Sequence, residues 1–79
     1  MQGIRDKIYN VISYMFSVDI NDINDDLYLY ENLCCDSLDV IDLAMELEDV
    51  FDINIQDSDL NKFKTVGDIV RYIYNLGDK

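Results

Sequence analysis

Asp36-Ser37-Leu38-Asp39-Val40-Ile41-Asp42-Leu43-Ala44-Met45-Glu46-Leu47-Glu48-Asp49-Val50-Phe51 holds the pattern from which the fold can be read. From Leu38 to Phe51 apolar residues return every three or four positions, the period of a helix with about 100° between successive side chains. Val40, Leu43, Ala44, Leu47, Val50 and Phe51 fall on one side, which should face a core. Leu38, Ile41 and Met45 form a second stripe on the far side, beside an acidic ridge of Asp39, Asp42, Glu46 and Asp49. Asp36 suits the N-cap, and Asp39 stands three residues on, in the capping-box position.

Upstream, Ile4, Ile8, Val11, Ile12, Met15 and Phe16 predict an amphipathic helix over roughly residues 3 to 16. Periodicity fails from Ser17 to Asp36, where Val18, Ile20, Ile23, Leu27, Leu29 and Leu33 stand isolated among Asn and Asp. That stretch reads as a long loop pinned to the core by those side chains. Downstream, Asp57 to Phe63 predicts one or two helical turns. A last helix carries Val66, Ile69, Val70, Ile73 and Leu76, opened by Thr65 with Asp68 and closed by Gly77. The expected fold is all-α: a small antiparallel bundle of three main helices and one short helix, with a long loop between the first two main helices. At 79 residues it should be a single domain, residues 1–79, and only marginally stable.

Hydrophobic residues make up 49% of the chain, which argues against disorder. Seventeen acidic against six basic side chains give a net charge of -11, repelling nucleic acid and anionic membranes alike. The cations Arg5, Lys7, Lys62, Lys64, Arg71 and Lys79 lie toward the two ends, while 14 carboxylates crowd the interval from Ile8 to Asn61. Basic proteins are the expected partners, and the chain is expected to be a monomer. No apolar run is long enough to span a bilayer, and Met1 to Asp6 lacks the features of a signal peptide, so a cytoplasmic location is expected.

With no histidine, the usual proton shuttle and metal ligand is missing, so no catalytic residue and no resident metal site are expected. Adjacent cysteines rarely reach disulfide geometry without strain, and Cys34 and Cys35 lack zinc-ligand spacing; they read as reduced, small apolar packing residues. Asp19 to Asp26 resembles the start of a calcium loop, but the sixth position is Asn24 rather than glycine and the twelfth is Tyr30 rather than glutamate. Tyr9, Tyr14, Tyr28, Tyr30, Tyr72 and Tyr74 lack the basic neighbours of a single-strand binder and read as core and rim.

An apolar stripe beside carboxylates suits protein docking. The bland alternative makes the carboxylates the solvated edge of a deeply buried helix. A chain this short has little with which to cover both sides of one helix, so Leu38, Ile41 and Met45 should be partly exposed. Ser37 follows the N-cap, where the positive end of the helix dipole favours an attached phosphate ester, although a serine there could also serve capping alone.

Leu33-Cys34-Cys35-Asp36-Ser37-Leu38-Asp39, the acidic helix ending Leu-Glu-Asp-Val-Phe-Asp-Ile, and Phe63-Lys64-Thr65-Val66-Gly67-Asp68-Ile69 together resemble the acyl carrier proteins across almost the whole chain. The resemblance implies a carrier rather than an enzyme. Its acyl cargo would be a thioester on a 4'-phosphopantetheine arm attached to Ser37, in fatty acid or related acyl-chain biosynthesis. It further implies that a carrier protein synthase, a phosphopantetheinyl transferase, loads the arm from coenzyme A. Asp36 would position the serine and magnesium, which belongs to the loading reaction alone. Acyl transferases, ketosynthases and other acyl-chain enzymes with basic patches would dock on Leu38, Asp39, Ile41, Asp42, Met45, Glu46 and Asp49. The chain departs from the family at Cys34, where glycine is usual, and at Gln56, where many members have proline. Two alternatives stay open: an aminoacyl or peptidyl carrier, and an acidic interaction module that has lost the arm.

Overall fold

A computed structural model describes residues 2–77, and the expected contribution of Lys79 falls outside them. Helix α1 spans Gln2–Phe16, α2 Leu29–Asn32, α3 Ser37–Phe51 and α4 Val66–Gly77, with 3-10 turns at Ile20–Asp22 and Asp57–Lys62. The three long helices lie where the periodicity puts them. Gly77 is the last described residue of α4, so its expected role as a stop lies at the limit of description. No strand forms among the described residues, only an isolated bridge between Tyr28 and Thr65.

Helix α1 packs against α3 and α4. The core takes Ile8 and Ile12 from α1, Val40, Leu43, Ala44 and Leu47 from α3, and Val66, Ile69, Val70 and Ile73 from α4. Val50 departs from expectation: it sits at the margin of the α3 core stripe and is 38% exposed. Helix α3 stops at Asp52, which turns left-handed at φ 56° while its amide reaches the Glu48 carbonyl. The Glu48 carboxylate then accepts the Ile55 amide at 2.8 Å, fixing the chain as it leaves the helix.

The segment from Ser17 to Asp36 is more ordered than a loop. It contains a 3-10 turn, capped by the Asp19 carboxylate on the Asn21 amide, and the single-turn α2. Neither offers enough length for a 3.6-residue period to register. Ile23 and Leu29 are buried and Val18, Leu27 and Leu33 partly so, as pins should be, but Ile20 is exposed. Backbone hydrogen bonds tie this segment to the entry of α4: Val66 to the Leu27 carbonyl, Leu29 to that of Lys64, and Gly67 to that of Asp25. The last approach is close, because a Cβ on Gly67 would lie 3.0 Å from the Asp25 carbonyl oxygen. Thr65 and Asp68 exchange hydrogen bonds across the first turn of α4, the reciprocal cap their spacing suggests.

The Asp57–Lys62 turn packs on α3 and is held to α4 where the Tyr72 hydroxyl donates to Asp59 at 2.7 Å. Gln56 precedes it at φ -70°, a value proline would also adopt, so the departure from the family leaves this backbone unstrained. Of the tyrosines, Tyr14 is wholly a surface residue at 86% exposure rather than core or rim.

Candidate functional site

The approach to α3 is built by backbone constraint. After α2 the chain reverses through Cys34, whose φ of 58° lies in the left-handed region where a side chain is disfavoured and glycine is not. The conformation that glycine would supply is thus kept with cysteine in its place. Cys34 is exposed, which corrects its reading as a packing residue, whereas Cys35 is buried. The Cys35 amide donates to the Leu29 carbonyl at 3.1 Å, fastening the loop against α2. Burial, reinforced by the negative charges of Asp39 and Asp36, pushes the Cys35 thiol up to about 11.

Asp36 is extended and begins the helix. Its carboxylate accepts the Asp39 amide at 3.0 Å, and the Asp39 carboxylate accepts the Asp36 amide at 3.1 Å. This box directs both carboxylates to backbone amides and leaves Ser37 exposed as the first helical residue. Other first-turn amides of such a helix have no intrahelical acceptor, and with the dipole they favour an anion there.

Beside Ser37 lies a half-open groove of about 350 Å³, walled by Val40, Ile41 and Leu60, with Tyr30 and Asp57 on its rim. Tyr30, Asp57 and Leu60 escaped sequence reasoning, because they come from segments with no common spacing and meet Ser37 only through the tertiary fold. An exposed hydroxyl at a helix start, opening on an apolar-walled groove, fits a phosphopantetheine arm: Ser37 would hold its phosphate and the groove could shelter what it bears.

The far side of α3 also has the expected arrangement. Leu38, Ile41 and Met45 are 69%, 41% and 58% exposed, large values for apolar side chains in a row. Asp42, Glu46 and Asp49 are exposed alongside, while Asp39 is half-buried by its part in the cap. No metal-binding cluster occurs among the described residues, and no described helix is long and apolar enough to cross a membrane.

Comparison with known proteins agrees with this arrangement. The family model described as the phosphopantetheine attachment site matches residues 6–73. An acyl carrier protein from Thermotoga maritima is 41% identical over 72 residues, covering 91% of this chain and 89% of that protein. One from Lactobacillus johnsonii is 44% identical over 72 residues, covering 91% and 90%. One from Aster yellows witches'-broom phytoplasma is 47% identical over 70 residues, covering 89% and 92%. A solved structure of a candidate acyl carrier protein from Mycobacterium tuberculosis superposes with a TM-score of 0.85 at 33% identity, covering 92% of this chain and 97% of that one. Match, fold and site together place the chain in the acyl carrier protein family, carriers of acyl groups on a covalent 4'-phosphopantetheine.

Proposed function

We propose that Ser37 is the attachment residue and that the chain, a single carrier domain over 1–79, shuttles acyl intermediates of fatty acid or related biosynthesis without catalysing their reactions. The observation that carries this reading is the exposed Ser37 hydroxyl at the first residue of α3, opening on an apolar-walled groove. The arm, when attached, supplies a terminal thiol for thioester linkage. On the same reading Asp36, which caps the helix beside Ser37, orients the hydroxyl and meets magnesium during loading by a carrier protein synthase. Leu38, Ile41 and Met45, flanked by Asp39, Asp42, Glu46 and Asp49, form the face for that enzyme and for acyl transferases and ketosynthases with basic patches. The same proposal has the carrier act as a monomer in the cytoplasm.

Incubation of apo protein with coenzyme A, magnesium and a phosphopantetheinyl transferase tests the reading. One phosphopantetheinyl group should add to wild type and none to Ser37→Ala. An unmodified wild type would favour an acidic interaction module instead. The loop also holds the serine at a fixed place, through the Cys35 to Leu29 hydrogen bond on one side and the Asp36 cap on the other.

A further inference from the structure

Tyr30 lines both the groove beside Ser37 and a second hollow of about 170 Å³, whose other walls are Tyr28, Glu31 and Lys64. Lys64 differs from the other described cations. Arg5 pairs with Asp25, Lys62 with Asp59 and Arg71 with Asp68, while Lys7 lies over the Phe51 ring. Lys64 has no carboxylate within ion-pair distance among the described residues, although the chain carries 17 acidic side chains. An unpaired acid is ordinary in such a chain; an unpaired base beside a hollow is not. Tyr28 and Tyr30, each about half exposed, give the hollow its aromatic walls.

The hollow lies within reach of Ser37. The Lys64 carbonyl accepts the Leu29 amide at 2.9 Å, and the Leu29 carbonyl accepts the Cys35 amide at 3.1 Å. Hydrogen-bonded backbones lie about 5 Å apart and successive Cα atoms about 3.8 Å apart, so the Lys64 backbone is within roughly 18 Å of Ser37. A phosphopantetheine chain, with about thirteen bonds from phosphorus to sulfur and about 3.5 Å per three bonds, extends about 15 Å. The lysine side chain and the acyl group cover the remainder.

We infer that the hollow walled by Tyr28, Tyr30 and Lys64 is a resting site on the carrier for the terminal carboxylate of a dicarboxylic acyl chain, bound by the Lys64 ammonium. The inference rests on Ser37 as the attachment residue. A methyl-terminated chain gains nothing from Lys64 and stays against Val40, Ile41 and Leu60. Glu31 opposes the anion, so its removal should strengthen binding.

The test loads the full chain with coenzyme A analogues whose arms end in an amide-linked glutaryl group, its methyl-terminated counterpart pentanoyl, or the ammonium-terminated 5-aminopentanoyl. Intact mass first establishes loading, and a wild type that gains no arm overturns the attachment reading and this inference together. With loading established, amide chemical shifts of Tyr28, Tyr30 and Lys64 should move at least twofold further for glutaryl than for pentanoyl. Lys64→Met, whose backbone hydrogen bonds are unaltered, should remove that difference, and Glu31→Gln should enlarge it. Equal shifts for glutaryl and pentanoyl, a difference that survives Lys64→Met, or larger shifts for the ammonium-terminated arm would overturn this inference alone and leave the carrier reading standing.

Discussion

The Arg5 guanidinium holds the Asp25 carboxylate through two hydrogen bonds of 3.2 and 2.9 Å, joining α1 to the segment before α2 across twenty residues. The Tyr9 hydroxyl adds a third bond, and the Asp25 carbonyl receives Gly67 from α4. One residue therefore connects α1, the long connection and α4. That connection sets where Leu29, and through it Cys35 and the start of α3, can sit.

The hydrogen bonds from Arg5 hold the Asp25 carboxyl below its ordinary value against the opposing effect of burial. A carboxylate depressed on folding contributes stability that is present above its unfolded value, near 3.9, and lost as pH falls through its folded value. Asp25→Asn should lower the thermal midpoint at neutral pH and flatten its decline below about pH 4. Tyr9 acts at the opposite limb: burial first, then Asp25, raises its hydroxyl to about 12. Its stabilisation is complete below the unfolded value near 10 and lost as pH rises toward 12, so Tyr9→Phe should flatten the alkaline decline. Midpoints measured across pH check both, and unchanged profiles would remove Asp25 from its connecting role.

Gly67 is required by contact rather than by dihedral angle. An added Cβ would meet the Asp25 carbonyl oxygen at 3.0 Å and the Asp25 Cβ at 3.1 Å, both tied down by the bonds above. Gly67→Ala should therefore destabilise by about 1–3 kcal/mol, the range for overpacking a rigid contact. Urea unfolding measures it; wild-type stability would mean that the segment yields freely.

Cys34 stands at φ 58°, where a Cβ costs about 1 kcal/mol. Cys34→Gly should raise the urea midpoint slightly, and Cys34→Val, branched at Cβ, should lower it. Exposure also separates the two thiols: native protein should take one equivalent of a thiol reagent at Cys34, while Cys35, buried and raised to about 11, should react only on unfolding. Equal native labelling would contradict the packed position of Cys35.

The two halves of the proposed docking face should separate kinetically. Glu46→Lys is expected to slow association with a carrier protein synthase at low salt, the difference shrinking as the Debye length contracts. Met45→Ala should instead speed dissociation, by on the order of 1 kcal/mol in binding energy and with little salt dependence. Stopped-flow kinetics measures both rates, and Glu46→Lys binding as fast as wild type at low salt would leave the acidic ridge a solvated edge.

Features set by local geometry were legible in the sequence. The Asp36 and Asp39 cap needs only a spacing of three, and the exposure of Leu38, Ile41 and Met45 follows from 100° per residue on a helix whose other side is buried. Val50 was misplaced by the same wheel, because a residue at the edge of a stripe is covered or bare according to its neighbours. The one-turn α2 left no period to detect. Tyr30 meets Leu60 in one hollow and Lys64 in the other, and the Leu29 to Lys64 and Cys35 to Leu29 hydrogen bonds tie the same segments together, pairings that no local pattern encodes.

The serines of the chain are Ser13, Ser17, Ser37 and Ser58, and only Ser37 opens a long helix beside an apolar-walled groove. Peptide mapping by mass spectrometry of protein purified from its own cell tests the central claim most directly. A phosphopantetheinyl group, free or acylated, on the peptide containing Ser37 and on no other is the expected result. The group on the peptide containing Ser58 or Ser13, or protein that carries no arm in its cell, would contradict it.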